Sequence, residues 1–149
     1  MAELAESLLG SGWTLRLRVS GTSMKPLLRS GSVVRIAPLS LPAGPLLGDI
    51  VLLRAASGRM LAHRVIELDG HRCLTKGDAS GESDGLVGRG QLLGRILGID
   101  GIFFLPLDGT VARRIGLLLN RYYPRLVRLK AALKRRLSGS FPSLAGEGS

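Results

Sequence analysis

The sequence predicts a mainly β domain, an all-β sandwich or partly closed barrel, followed by a basic helical segment. Three observations carry this. Apolar and polar residues alternate through short runs over most of residues 13–105, the period of half-buried strands. Turn-forming pairs such as Ser57-Gly58 and Asp69-Gly70 separate those runs, in a chain of 149 residues with 21 glycines. From Asp108 onward the apolar spacing becomes that of a helix.

Residues 2–9 have the spacing of a short helix with Leu4, Leu8 and Leu9 on one side, ended by Gly10-Ser11-Gly12. Trp13, Leu15, Leu17 and Val19 alternate with polar residues, as on a strand with one buried face. Further strands are expected over 32–37, 50–54, 60–68, 71–76, 92–97 and 102–105, with a proline-rich loop over 38–45 and a polar, glycine-rich loop over 77–90. Val111, Ile115, Leu118, Leu119, Tyr122, Leu126, Leu129, Leu133 and Leu137 then follow helical spacing, with a kink or break expected at Pro124. The chain divides into a β body (1–108), a basic amphipathic helical extension (109–137) and a Ser/Gly-rich tail (138–149) expected to be disordered.

Hydrophobic residues make up 45% of the chain and aromatics only 4%, so the core is expected to be aliphatic. One cysteine, Cys73, excludes an internal disulfide and reads as a small buried side chain. The net charge of +10 is uneven. Residues 1–108 hold 12 Lys/Arg and 10 Asp/Glu, net +2, whereas residues 109–149 hold 9 and 1, net +8. A basic extension of this kind points to an anionic partner. Three readings of it are ordered here: a leucine face packed on the β body, an in-plane helix on an anionic membrane surface, and nucleic-acid binding, disfavoured because no recognition motif accompanies it. No run approaches the ~18 apolar residues of a membrane span. Glu3 and Glu6 replace the positive start of a secretory signal. The expected location is therefore cytoplasmic or peripheral to a membrane.

Chemistry concentrates in three segments. Gly21-Thr22-Ser23-Met24-Lys25-Pro26 presents a hydroxyl on a bent backbone, stiffened by proline. Leu61-Ala62-His63-Arg64-Val65-Ile66 carries a strand histidine, and Lys76-Gly77-Asp78 precedes Glu82 and Asp84. A serine hydroxyl needs a base within about 2.6–3.2 Å to attack a carbonyl, and the base needs an acid to hold its tautomer. Ser23, His63 and one of the acids supply those parts. The alternative readings are a turn serine, a strand histidine bonded to a carbonyl, and solvated loop carboxylates. Asp49, after Gly48, reads as a turn or cap residue. His71 and Cys73 are too few for a metal site, and Gly88-Arg89-Gly90 lacks the context of a phosphate loop, so neither metal nor cofactor is expected.

Taken in order, Ser23-Met24-Lys25-Pro26, Gly48-Asp49-Ile50-Val51, His63-Arg64-Val65-Ile66, Lys76-Gly77-Asp78 and Asp84 resemble the signal peptidase I family. The match is to its Ser/His branch, found in archaea and the endoplasmic reticulum, and covers residues 14 to 98. The resemblance implies a coiled, mostly antiparallel β fold of the LexA/signal peptidase type, here in a form without an N-terminal anchor. It implies a serine endopeptidase with Ser23 as nucleophile, His63 as base and Asp84 as orienting acid, with Asp78 in support. It also implies an extended peptide or protein substrate with small residues beside the scissile bond. Many relatives carry a serine two residues before the nucleophile as an oxyanion donor. Gly21 stands there in this chain, which leaves the second donor open between the Ser20 and Thr22 hydroxyls. A catalytically silent peptide-binding or regulatory module on the same fold is the alternative. A self-cleaving LexA-like repressor fits less well, since no N-terminal DNA-binding helices appear and that family uses lysine as base.

Overall fold

A computed structural model of the chain describes residues 1–39, 43–101 and 104–138. The tail expected to be disordered lies outside them from residue 139, as do the first two residues of the strand expected over 102–105. The elements are α1 (Ala2–Gly10), β1 (Leu15–Arg18), β2 (Val33–Ala37), β3 (Ile50–Arg54), β4 (Met60–Asp69), β5 (Arg72–Lys76), β6 (Leu86–Gly88), β7 (Leu92–Asp100), β8 (Leu105–Pro106) and α2 (Thr110–Ser138). The fold is mainly β. Every strand pair is antiparallel, in the order β1-β2-β7-β3-β4-β5-β6, with β8 on the edge of β7.

The sheet is curled, a half-barrel. Ile50 and Leu52 of β3 join Val34, Ile36 and Ile96 in one core, capped by Leu9 of α1 and by Met24 and Leu28. Val51 and Leu53 join Val65, Cys73 and Val87 in a second core on the opposite face. Strand β3 is thus covered on both sides, which explains its unbroken apolar run Ile50-Val51-Leu52-Leu53. Strand β1 alternates half-buried and exposed, as its sequence period requires. Trp13 falls outside it and is 65% exposed, and in α1 the buried residues are Ala5 and Leu9 rather than Leu4. Strand β6, Leu86–Gly88, arises inside the stretch expected to be loop.

Helix α2 departs from expectation in two ways. It runs unbroken through Pro124. Proline lacks the N–H that would bond the Asn120 carbonyl four residues back. Lys76 Nζ supplies that donor instead, at 2.8 Å from Asn120 O and 2.9 Å from Asn120 Oδ1. Burial pushes the Lys76 ammonium pKa down, against the opposing pull of the Asp78 carboxylate.

The second departure is the docking face. The leucine stripe does not pack on the β body: Val111, Ile115, Leu118, Tyr122, Leu126, Leu129, Leu133 and Leu137 are all exposed. The buried residues are Gly116, Asn120 and Pro124, one stripe at four-residue spacing. The body offers α2 a polar hub rather than an apolar trough, so a small residue and an amide fit where leucines would not. Asn120 Nδ2 donates to Asp78 Oδ1 (2.9 Å) and to the Lys76 carbonyl (3.1 Å). Gly116 sits against the Arg64 guanidinium so closely that a Cβ there would overlap it.

Gly116→Ala is accordingly expected to destabilise the protein by about 1–3 kcal/mol, the range for overpacking a filled site. Alanine favours an isolated helix over glycine by roughly 1 kcal/mol, so an intrinsic-propensity effect would have the opposite sign. The urea midpoints of the two proteins decide between them.

Candidate active site

The serine turn begins where β1 ends. Gly21 has φ of 93°, a left-handed conformation that glycine adopts without cost and that reverses the chain before Ser23. Met24, next in sequence, is buried and accepts the Asp78 N–H through its sulfur at 3.4 Å. Beyond it, Leu28 N–H closes onto the Met24 carbonyl at 2.9 Å. The turn is therefore pinned on both sides of the hydroxyl.

The segment after β5 presses against the same turn. The Ala79 N–H donates to the Ser23 carbonyl at 2.8 Å. A Cβ at Gly77 would meet that carbonyl oxygen at 2.6 Å, so only glycine allows this approach. Here lies a physical reason for glycine in Lys76-Gly77-Asp78. The Ser23 carbonyl is thereby committed, whereas the Ser23 amide donates to no acceptor among the described residues. It remains open to an incoming oxyanion.

His63 lies on β4 opposite Val51 of β3 and is almost wholly buried. Its Nε2 stands 3.1 Å from Ser23 Oγ, and its Nδ1 stands 2.6 Å from Asp84 Oδ2. A carboxylate only accepts, so Nδ1 carries the proton and the Nε2 lone pair faces the serine hydroxyl. Asp84 is held in turn. Thr75 Oγ1 donates to its Oδ2 at 2.7 Å, and its own N–H bonds the Thr75 carbonyl at 2.8 Å. Burial pushes the Asp84 pKa up, but the hydrogen bonds from His63 and Thr75 and the Coulombic attraction of His63 outweigh it, and the carboxyl sits below its usual range.

Because that pKa is lower in the folded than in the unfolded chain, the stabilisation is complete above the unfolded value, about 3.9. It drains away as pH falls through the folded value. Asp84→Asn is therefore expected to flatten the acid limb of the stability curve. Urea unfolding at a series of pH values between about 2 and 6 checks this; parallel curves for the two proteins would contradict it.

The structure brings Ser23, His63 and Asp84 into one chain of contacts and leaves Asp78 out of it. Asp78 is fully buried and pairs with Arg64, Oδ1 to Nε at 2.8 Å and Oδ2 to Nη2 at 2.7 Å. Arg64 follows His63 on β4 and so points to the other side of the strand, toward α2. Its Nη1 donates to the Gly48 carbonyl at 2.8 Å. Glu82 is exposed. Asp49 shapes a turn, accepting the Leu46 N–H at 2.8 Å, and lies 3.5 Å from Arg113 of α2. Cys73 is buried with its thiol pKa raised by desolvation, and His71 is exposed. Among the described residues no cluster of His, Cys, Asp or Glu has the makings of a metal site.

Sequence reasoning missed Thr75, Arg64 and Asn120. Each left a trace: a threonine at a buried position of β5, a guanidinium inside an apolar run, and an amide four residues before a helical proline.

Ser23 and His63 both line an apolar groove of about 470 Å³. Leu17 and Val19 stand on one side, Met60 and Ala62 on the other, with Ile36, Leu52 and Ile96 between. Among the described residues, strand β1 pairs only with β2, and residues 60–63 of β4 pair only with β3, since the β4–β5 ladder begins at Arg64. Two main-chain edges with no strand partner among the described residues therefore border the groove beside the serine. No protein-family model matches the chain, and no curated protein matches it.

Proposed function

We propose that the protein is a serine endopeptidase of the signal-peptidase type that cleaves an extended peptide lying in this groove. The observation that carries the proposal is the Asp84–His63–Ser23 chain, with contacts of 2.6 and 3.1 Å, at the wall of a groove with two free strand edges. A peptide in β conformation adds to such an edge through main-chain hydrogen bonds and places alternate side chains in the apolar groove. Small residues beside the scissile bond are part of the proposal, as the sequence resemblance implies.

In this mechanism His63 Nε2 takes the Ser23 proton as Oγ attacks the scissile carbonyl. Asp84 holds the ring and stabilises the imidazolium. The Ser23 amide receives the oxyanion, joined by the Ser20 or Thr22 hydroxyl; both residues line the groove. The imidazolium then protonates the departing amine, leaving an acyl-serine. His63 next activates water, which releases the new carboxylate and restores the serine. Asp78 and Arg64 take no proton in this scheme; they build the floor that holds the loop against Ser23.

A fluorogenic peptide library with small residues at the cleavage position tests the proposal, using the wild type beside Ser23→Ala and His63→Ala. Turnover by the wild type alone is expected. Peptide binding without product in any of the three would assign the groove to a silent binding module instead.

A further inference from the structure

The face that α2 leaves uncovered has a chemistry of its own. Val111, Ile115, Leu118, Tyr122, Leu126, Leu129, Leu133 and Leu137 form one exposed stripe within an arc of about 100°. It runs the length of a helix some 43 Å long, at 1.5 Å per residue. Packing on the β body is not its purpose, because that contact uses Gly116, Asn120 and Pro124 on another face. Every residue from Arg125 to Ser138 is exposed.

Charge settles what fits the stripe. Residues 110–138 contain nine Lys/Arg and no Asp or Glu. Six of the nine flank the apolar stripe: Arg114, Arg121, Arg125, Arg128 and Arg136 on one side, Lys130 on the other. Arg121 and Arg125 stand 5.7 and 5.9 Å from the Tyr122 ring centroid, so cations bracket the one aromatic of the stripe. The same helix of a second copy would bring nine more cations and no carboxylate to meet them. A nucleic acid would neutralise the cations and leave eight apolar side chains in water. No described helix is long and apolar enough to cross a membrane, this one included. An anionic lipid surface satisfies both halves at once, taking the apolar side chains at the acyl boundary and the cations among the headgroups.

We infer that α2 lies in the plane of an anionic membrane surface, with its leucine stripe inserted, and holds the β body there. This rests on the helix alone and is independent of the chemistry at Ser23. The docked half, through Asn120 and Gly116, makes the attachment rigid: the Lys76 and Asp78 contacts tie the helix to the segment that also braces the Ser23 carbonyl.

Co-sedimentation with vesicles tests it, using phosphatidylcholine alone and phosphatidylcholine partly replaced by phosphatidylglycerol. The full chain is expected to bind the anionic vesicles at least about tenfold more tightly than the neutral ones, and to release as salt is raised. Leu126→Ser with Leu129→Ser and Leu133→Ser is expected to weaken binding by roughly a hundredfold, since three apolar side chains no longer insert. These positions are exposed and lie outside the buried stripe of Gly116, Asn120 and Pro124, so the unfolding transition of the body is expected to stay in place. A second variant, Arg121→Glu with Arg125→Glu and Lys130→Glu, keeps every leucine and is expected to lose the preference for anionic lipid. Ser23→Ala is expected to bind as the wild type does, which separates this result from any failure of peptide cleavage. Absence of vesicle binding, equal binding to both vesicle types, or full binding by the leucine variant would each overturn the inference. So would concentration-dependent dimerisation that the leucine variant abolishes.

Discussion

Ser23→Ala is expected to lower peptide cleavage by about four to six orders of magnitude while leaving the fold intact. The side chain removed is one hydroxyl, whose recorded contact is His63 Nε2 at 3.1 Å. The backbone bonds that shape the turn, from Ala79 to the Ser23 carbonyl and from Leu28 to Met24, do not involve it. Stability should therefore be unchanged within about 0.5 kcal/mol, as for substitutions away from packing and networks. His63→Ala should cost a similar factor in rate, because a hydroxyl without its base and a base without its hydroxyl are equally idle. The double variant should be no slower than either single one, the non-additivity of groups that act as a unit. Asp84→Asn should retain more activity than either, since the ring keeps a hydrogen-bond partner but loses the carboxylate that stabilises the imidazolium. Measured kcat/KM on one cleavable peptide orders all four. Multiplying losses in the double variant would show that Ser23 and His63 do not act on the same step.

That ordering draws on residues legible in the sequence itself. Apolar runs bounded by turn signals placed Ile50–Arg54 and Met60–Asp69 within a residue or so, because a strand covered on both faces, as β3 is, writes itself as a short continuous hydrophobic run between turns. The spacing of Ser23, His63 and Asp84 needed only correct chain reversals to be brought together, and Gly21 and Asp69-Gly70 supplied local signals for those. Helix α2 shows what periodicity cannot convey. Its leucines repeat like a core face, yet the core-facing stripe is Gly116, Asn120 and Pro124. The choice was made by Arg64 on β4 and Asp78 in the turn after β5, far away in sequence, and a one-dimensional pattern carries no record of them. Pro124 illustrates the same point: the break that proline should cause is averted by an ammonium from β5.

Asp78→Ala is expected to have the largest effect on stability of any single change in the protein. Arg64 is 1% exposed and Asp78 is 0% exposed, and two hydrogen bonds of 2.8 and 2.7 Å join them. Removing the carboxylate strands a guanidinium where water cannot reach it, at a cost of about 3–5 kcal/mol. A domain is stable by only about 5–15 kcal/mol in total, so the variant sits at or near the edge of unfolding. The loss spreads, because Asn120 Nδ2 also donates to Asp78 Oδ1 and the helix is latched through it. Amide exchange should accordingly accelerate along residues 116–124 before it does so in β3. Asp78→Asn keeps one acceptor for Arg64 and should fall between. Removing both charges together, Arg64→Met with Asp78→Leu, leaves no uncompensated ion and should recover much of the loss, although Gly48 O then lacks its donor. Urea unfolding of the four proteins, read as a double-mutant cycle, gives the coupling directly. If Asp78→Ala instead unfolds like the wild type yet no longer cleaves peptide, Asp78 belongs to the chemistry and the division of labour between the two aspartates is reversed.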